Sequence, residues 1–243
     1  MPEELLAKGI CKSRDNVAVL SEVDIVVKPG EITALIGPSG AGKTTLLKVL
    51  SLIELPERGS LAIDDVSYNF PFSEKNKFQP PWPKLTVVFQ QLFLWPHLTL
   101  RENIMLPLKG KKDASDYLDH LLARFDMKSF IDRYPNQASL GQRQRAALVR
   151  AMALNPKYIL LDEITSSLDV EQVALILSEI RDLAKSGVGI LLITHLLHFA
   201  REAADSVVFL ENGKTIESGG KEVLFNPKEN RVKDFLAMAE FAS

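Results

Sequence analysis

The sequence predicts an α/β fold that combines a mainly parallel sheet, an antiparallel β subdomain and an inserted helical lobe. Apolar stretches of strand length alternate with amphipathic helical stretches over much of the chain, which is typical of a parallel sheet. Before residue 28, apolar and polar residues alternate singly, as at Val23, Ile25 and Val27, which predicts antiparallel strands. From Leu100 to about Tyr134 the apolar residues recur at helical spacing, which predicts the lobe.

Each predicted strand is a short apolar run between turn signals, and each predicted helix has apolar residues three or four positions apart. The strands are expected in an antiparallel region at Leu6–Val27 and then at Glu31–Ile36, Ser60–Ser67, Leu85–Phe89, Tyr158–Leu161 and Gly189–Thr194. Outside the lobe, helices are expected at Thr45–Leu50, Leu140–Ala153, Val170–Ser186 and Val232–Phe241. Because prolines cannot donate backbone hydrogen bonds, the proline-bearing stretch Asn69–Lys84 is expected to be a loop. We predict one domain of 243 residues, with the lobe at about 91–153.

Composition and charge argue against several classes of protein. The formal net charge is −2, from 29 basic and 31 acidic residues, so no nucleic-acid partner is indicated. The lone Cys11 cannot form an internal disulfide, and the N-terminus lacks a secretory signal pattern, so we expect a reducing, cytoplasmic location. No apolar run approaches the roughly 20 residues that span a bilayer. Any role at a membrane is therefore expected to be peripheral.

The most specific motif is the octapeptide GPSGAGKT at Gly37–Thr44, which matches the phosphate-binding pattern Gly-x-x-x-x-Gly-Lys-Ser/Thr at every fixed position. A strand-like run precedes it and a helix-like run follows it, as the pattern requires. Its glycines let backbone N–H groups turn toward phosphate oxygens, Lys43 neutralises those oxygens, and the Thr44 hydroxyl can ligate Mg²⁺. The residues predicted to contact the nucleotide phosphates are Gly37, Pro38, Ser39, Gly40, Ala41, Gly42, Lys43, Thr44 and Thr45.

Two acidic residues, Asp162 and Glu163, follow the apolar run Tyr158–Leu161. Since a strand end can deliver carboxylates beside the phosphates, we expect Asp162 to hold Mg²⁺ and Glu163 to polarise the water that attacks the γ-phosphate. Apolar strands that end in acids are also common at ordinary turns. The assignment therefore depends on the phosphate-binding loop.

With further motifs in the same order, the chain resembles the ATP-binding subunits of ABC transporters over nearly its whole length. Val88-Phe89-Gln90-Gln91 resembles the family's Q loop, which implies that Gln90 reaches Mg²⁺ and the attacking water. His195 ends the last predicted parallel strand and resembles the switch histidine. That resemblance implies contacts from His195 to the γ-phosphate and to Glu163, although a histidine at a strand end is more often structural.

Two motifs of the resemblance concern a second subunit. The segment from Ala138 to Arg145 is similar to the signature motif, and Thr165-Ser166-Ser167-Leu168-Asp169 is similar to the D loop. In the family two subunits pair head to tail, and each signature motif closes the site of the other. The resemblance implies that role for Ser139, Gly141 and Gln142, and a contact with the partner subunit for Asp169.

The chain departs from the family pattern at several positions. Ala138 replaces leucine and Leu140 replaces the first glycine of the signature, while Ile164 replaces a proline before the D loop. Because a Cβ can obstruct the close approach that glycine allows, Leu140 is expected to weaken closure or slow hydrolysis without abolishing it. Where the family stacks an aromatic ring on adenine, the alignment places Arg14. Its guanidinium either stacks on the base or stays a free surface group.

The segment Phe89–Thr99 and the tail from Phe199 to Leu236 resemble the polar amino-acid importers of the family. The resemblance implies ATP and Mg²⁺ as cofactors, a second ATPase subunit expected to be an identical chain, and integral membrane permease subunits. A substrate-binding protein then acts indirectly, and the chain is expected at the inner face of the cell membrane. A groove near Gln90 would receive a coupling helix, with Phe93 or Trp95 as candidate contacts and packing within the lobe as the alternative.

Three functions stay open on the sequence alone. The first is an ATP-hydrolysing importer subunit. The second is an ATP-binding regulatory or assembly module with weak hydrolysis, which the departures from the family pattern favour and the retained Glu163 and His195 disfavour. The third is a soluble ATPase of the same type that acts on nucleic acid or ribosomes, which a single cassette and balanced charge disfavour.

Overall fold

A computed structural model describes residues 3–72, 78–109, 114–165 and 168–241 of the chain. The strands are β1 (Leu5–Arg14), β2 (Val17–Val27), β3 (Ile32–Ile36), β4 (Arg58–Ile63), β5 (Val66–Phe70), β6 (Leu85–Val88), β7 (Tyr158–Asp162), β8 (Gly189–Ile193), β9 (Ser206–Glu211) and β10 (Lys214–Gly220). The α-helices are α1 (Lys43–Leu50), α2 (Leu100–Met105), α3 (Ala114–Arg124), α4 (Leu140–Met152), α5 (Val170–Lys185), α6 (Leu197–Ala203) and α7 (Asn230–Phe241). Short 3₁₀ helices lie at Leu106–Leu108, Pro135–Gln137 and Lys221–Leu224.

The N-terminal part of the chain forms a separate antiparallel sheet with the strand order β2-β1-β4-β5. The turn between β1 and β2 places Asp15 and Asn16 in the left-handed region, with φ of 49° and 63°. Aspartate and asparagine tolerate this conformation because their short polar side chains bond to nearby backbone. The turn between β4 and β5 likewise places Asp64 in the left-handed region, with φ of 56°. The predicted antiparallel β subdomain is confirmed.

The core sheet has the strand order β10-β9-β3-β8-β7-β6, in which all strands are parallel except β10. Every residue of β3, β7 and β8 is buried, as expected for strands covered on both faces. The carboxyl ends of adjacent parallel strands meet at one edge, where α/β proteins bind ligands. The phosphate-binding loop, the acidic pair and His195 follow β3, β7 and β8, so this topology brings all three motifs to one edge.

The helical lobe packs on an apolar cluster that also reaches the sheet. The helical spacing seen in the sequence corresponds to the buried side chains of Leu118, Leu121 and Leu122 on α3, followed by Phe125. The signature helix α4 contacts both α2 and β6, so it connects the lobe to the core sheet. No helix in the described part of the chain has the length and apolar character that crossing a bilayer requires.

The structure corrects two predictions about secondary structure and adds a hairpin. The single strand expected at Ser60–Ser67 is two strands, because the chain turns back at Asp64 and Asp65. The expected loop from Asn69 begins later, since Asn69 pairs with Ser60 in the sheet, and its residues 73–77 lie outside the described residues. The hairpin of β9 and β10 was not predicted, although its Asn212-Gly213 turn is a strong hairpin signal with φ of 48° and 71°.

Candidate functional site

The loop between β3 and α1 has a backbone shape that only glycine adopts without strain. Gly37 has φ of 147°, and a Cβ there would lie 2.0 Å from the backbone oxygen of Leu210. Gly42 has φ of 102° and caps the N-terminus of α1, where a Cβ would lie 2.9 Å from the carbonyl oxygen of Val19. The loop therefore lies directly against β2 and β9. Gly37 and Gly42 are therefore required for this packing.

The backbone of the loop holds the Lys43 side chain in place. Its Nζ donates to the carbonyl oxygens of Gly37 at 2.7 Å and Pro38 at 2.9 Å, and the residue is only 6% exposed. Burial lowers the pKa of Lys43, and the nearby carboxylates of Glu163 and Asp162 oppose that shift. A buried ammonium group with only part of its charge compensated is suited to binding an anionic ligand. On binding, contacts with the anion would replace the two contacts with the carbonyl oxygens.

Thr44 and Asp162 form the next part of the site. The Thr44 hydroxyl donates to Asp162 Oδ2 at 3.0 Å, across 118 positions of sequence. Asp162 is 3% exposed, and its other oxygen, Oδ1, is buried with no hydrogen-bond partner in the described part of the chain. Burial raises the pKa of Asp162, and the Thr44 hydrogen bond opposes the shift. A hydroxyl and an unsatisfied carboxylate oxygen are the hard oxygen ligands that Mg²⁺ prefers, so the pair fits this ion.

The Asp162→Asn variant is expected to unfold at a higher temperature than the parent at pH 7 without nucleotide. Burial raises the pKa of Asp162 in the folded state, so this carboxyl favours folding when protonated, and that contribution is lost as the pH rises through the folded pKa. A neutral amide removes the cost of the buried charge. We expect a gain of about 2–4 °C, which corresponds to about 1 kcal/mol in a chain of this size.

Thermal unfolding at pH 7 and near pH 4, with and without Mg-ATP, measures this effect. The gain should shrink as the pH falls, because the raised pKa means that the folded parent takes up a proton at Asp162 before the unfolded chain does. Mg²⁺-dependent stabilisation by ATP should be lost in the variant. If Asp162→Asn unfolded at a lower temperature than the parent at pH 7, the buried charge of Asp162 would stabilise the fold. That result would contradict its assignment as a ligand-binding group.

Glu163 turns the chain at the end of β7. It is a non-glycine residue with φ of 51°, and its backbone N–H donates to the carbonyl oxygen of Ile193 on β8 at 3.0 Å. Successive side chains of a strand point to opposite faces, but the turn at Glu163 allows it and Asp162 both to act on Lys43. Backbone strain of this kind is often found at functional sites.

His195 pairs with Glu163 from the neighbouring strand end. His195 Nε2 lies 2.5 Å from Glu163 Oε1, and the imidazole is more exposed than the carboxylate. The contact that the family resemblance implies between these two residues is therefore present. Gln90 follows β6, the strand beside β7, and is exposed at the same edge of the sheet.

Two side chains that the sequence did not reveal, Arg150 and Asn103, hold the segment after Gln90. Arg150 of α4 donates from Nη1 to the carbonyl oxygen of Phe93 and from Nη2 to that of Leu92, both at 2.8 Å. Asn103 is fully buried and bonds to the backbone of Trp95 through both side-chain atoms. Burial lowers the pKa of Arg150. The segment after Gln90 is thus attached to the signature helix.

The signature residues form the N-terminus of α4. Ser139 is the N-cap residue, and it exchanges reciprocal hydrogen bonds with Gln142, which together form a capping box. Gly141 is buried, whereas Leu140 is 38% exposed. Leu140 is therefore accommodated within the protomer, and its effect on an opposing subunit stays a prediction.

The remaining predicted contacts are distributed over other elements. Asp169 caps the N-terminus of α5, and Ser166 and Ser167 of the same motif lie outside the described residues. The Arg14 guanidinium donates to Glu54 at 2.6 Å and is about half exposed. Stacking of Arg14 on adenine stays a prediction. The guanidinium would either keep its ion pair with Glu54 while it stacks or give that ion pair up.

An apolar groove of about 640 Å³ lies between the end of α1, the segment before β6, and α4. Its lining includes Ile53, Phe78, Trp82, Phe89, Pro107 and Arg150. The two aromatic candidates from the sequence, Phe93 and Trp95, are both exposed but lie beside the groove rather than in its lining, with the Phe93 ring against that of Phe89. The groove therefore adjoins the segment after Gln90 through Phe89 and Arg150.

Known proteins resemble this chain over most of its length. The ABC transporter family model matches residues 20–166. The L-cystine import ATP-binding protein TcyC of Bacillus subtilis (strain 168) is 40% identical over 242 residues, which cover 96% of this chain and 97% of that protein. The glutamine transport ATP-binding protein GlnQ of Escherichia coli (strain K12) is 36% identical over 235 residues, which cover 94% and 97%. A dimeric ATP-binding cassette solved in a post-hydrolysis state with ADP and Pi is 27% identical and superposes with a TM-score of 0.78, over 89% of this chain and 98% of that one.

Proposed function

The chain belongs to the ABC transporter family, and we propose that it is the ATP-hydrolysing subunit of an importer that takes up a polar amino acid. One observation carries the catalytic part of this proposal. Lys43, the pair Thr44 and Asp162, and the pair Glu163 and His195 converge on one edge of the core sheet, although they come from three separate parts of the chain.

Each group has a distinct role in the proposed reaction. The loop N–H groups and Lys43 bind the phosphates and compensate their charge. Thr44 and Asp162 would hold Mg²⁺, which supplies further charge compensation at the phosphates when bound. Glu163 takes a proton from water as the water oxygen bonds to the γ-phosphorus, and the bond from that phosphorus to the β,γ-bridging oxygen breaks. The products are ADP and inorganic phosphate.

His195 and Gln90 complete the site in this proposal. His195 would orient Glu163 through the 2.5 Å contact between Nε2 and Oε1. Gln90 supplies an amide beside the ion and the attacking water from the adjacent strand end. Since Arg150 of α4 holds the segment after Gln90, the position of that segment depends on α4.

A second copy of the chain is the proposed partner for hydrolysis. The signature residues lie at the start of α4 in the helical lobe, whereas the phosphate-binding loop precedes α1. A head-to-tail pair would place Ser139, Gly141 and Gln142 of one protomer over the nucleotide of the other. The dimeric assembly of the structural relative with ADP and Pi supports this arrangement.

The apolar groove is the proposed docking site for the membrane permease subunits. It is lined mainly by apolar side chains, and Trp82 and Phe78 are exposed at it, although exposed aromatic rings are costly unless a partner covers them. One relative is named as an L-cystine import protein and another as a glutamine transport protein, and these names support an amino-acid cargo. The permease and a substrate-binding protein would select that cargo. The chain would then act at the inner face of the membrane.

Reconstitution with the permease subunits tests this function. The chain should co-purify with integral membrane proteins, and in proteoliposomes its ATP turnover should rise when the loaded substrate-binding protein is added. Retention of ATP binding without turnover in the full complex would favour the regulatory alternative. Enrichment with ribosomes or DNA instead of membrane proteins would contradict transport.

The Leu140→Gly variant is expected to hydrolyse ATP faster than the parent. Leu140 is exposed at the first turn of α4, where its side chain would face the opposing nucleotide in a head-to-tail pair, and glycine allows closer approach. We expect turnover and nucleotide-driven dimerisation both to increase by several fold, which corresponds to a change of about 1 kcal/mol in the free energy of closure. Unchanged turnover and dimerisation would show that Leu140 does not obstruct closure.

A further inference from the structure

The first turn of α5 differs from that of the other capped helices. In α2 and α4 the residue at the third helical position, Glu102 or Gln142, accepts from the backbone N–H of the N-cap residue. In α5 the corresponding residue is Gln172, whose Nε2 instead donates to Asp169 Oδ2 at 2.5 Å. Asp169 Oδ1 accepts from the Gln172 backbone N–H at 2.8 Å. The Gln172 carboxamide is thus fixed by Asp169 with its oxygen turned away from the helix N-terminus.

The oxygen of Gln172 is directed at the signature motif. A Cβ placed on Gly141 would lie 1.7 Å from Gln172 Oε1 and 2.8 Å from its Cδ, and it would lie 3.1 Å from Leu168 Cδ2. Gln172 Oε1 is buried and has no hydrogen-bond partner in the described ranges of the chain. The carboxamide therefore occupies the space that a side chain at position 141 would fill. Gln172 joins the signature segment to the residue that begins α5.

We propose that Gln172 is a positioning residue that couples Asp169 to the signature segment of the same protomer. The inference rests on the proposed function, because it concerns how the signature motif meets the nucleotide of a second copy. Gly141 and Asp169 belong to two motifs that would both face that copy. With the carboxamide between them, the two motifs keep a fixed spacing and approach the partner as one unit.

This coupling has a consequence for communication between the two nucleotides of a pair. Leu168 donates its backbone N–H to the carbonyl oxygen of Thr165, which lies two residues after Glu163. A displacement of the signature segment by the opposing nucleotide would therefore reach the end of β7 through Gln172 and Asp169. Closure at one site would influence the position of Glu163 at the other.

A double-mutant cycle at positions 169 and 172 tests the inference. Gln172→Ala removes the bridge, and Gln172→Glu sets a carboxylate against the carboxylate of Asp169. Both variants are expected to raise the ATP concentration for half-maximal turnover by about tenfold, as for loss of one hydrogen bond to a charged group. Their kcat should stay within about twofold of the parent value, because no group that touches ATP changes. Adding Asp169→Asn to Gln172→Glu re-forms the hydrogen bond with donor and acceptor exchanged, and should return the half-saturating concentration to within about threefold.

Asp169→Asn alone completes the cycle, and Glu171→Ala, at the exposed neighbour of Gln172, is the matched control that should resemble the parent. The same set measured for ATP-driven dimerisation in the Glu163→Gln background gives a readout that needs no turnover. An unchanged half-saturating concentration in both Gln172 variants, or no recovery in the double variant, would overturn the inference. A fall in kcat together with unfolding temperature, without a change in that concentration, would show a purely structural role. If the parent neither turns over nor dimerises with ATP, the proposed function itself fails.

Discussion

The Glu163→Gln variant is expected to lose turnover by a factor of about 10² to 10⁴ while it still binds ATP. The factor is that of a positioned general base. The amide keeps the shape of the carboxylate and can still accept from His195 Nε2 through Oε1, so the contact between the ends of β7 and β8 is retained. It cannot take a proton from water. Phosphate release at saturating Mg-ATP and the affinity for ATP measure the two quantities.

Glu171→Gln is the matched control, because it makes the same chemical change at an exposed residue of α5. It should turn over at the parent rate. Turnover by Glu163→Gln at more than about a tenth of the parent rate would remove Glu163 from the role of general base, since the factor would fall below the usual range.

The Lys43→Ala variant is expected to lose most of its affinity for ATP. Lys43 is a buried cation of the loop, and its ammonium group is held against the loop by the carbonyl oxygens of Gly37 and Pro38. Loss of charged hydrogen bonds should weaken binding by about 10- to 100-fold or more. Calorimetric titration with Mg-ATP measures the change in Kd.

Lys48→Ala is the matched control on the same helix, where Lys48 pairs with Glu54 at 3.2 Å. Its Kd for Mg-ATP should equal that of the parent. An unchanged Kd in Lys43→Ala would contradict the assignment of the loop as the phosphate-binding element.

The parts of the site that the sequence predicts are those with local signatures. The loop at Gly37–Thr44 and the acids Asp162 and Glu163 lie within short motifs, and the order of strands and helices brings them together. Arg150 and Gln172 have no such signature. The hydrogen-bond partners of Arg150 are 57 and 58 positions away in the sequence, and Gln172 lies against Gly141. Both sets of contacts depend on tertiary packing.

The departures in the signature motif also acquire a physical meaning only in the folded chain. The sequence shows that one of two expected glycines is Leu140, but not which glycine the protomer itself requires. A side chain at position 141 would have to displace the Gln172 carboxamide, whereas position 140 is exposed and accommodates leucine. The β9–β10 hairpin is a different case, because its Asn212-Gly213 turn is a local hairpin signal in the sequence.

Hydrolysis by a closed pair of chains is tested by the rate of phosphate release by the purified chain at saturating Mg-ATP over a range of protein concentrations, beside Glu163→Gln. If two copies of the chain close on ATP to hydrolyse it, the rate should rise more steeply than the protein concentration and should be nearly absent in the variant. A rate strictly proportional to protein concentration, or ATP binding without any phosphate release by the chain in complex with its membrane partner, would contradict the account.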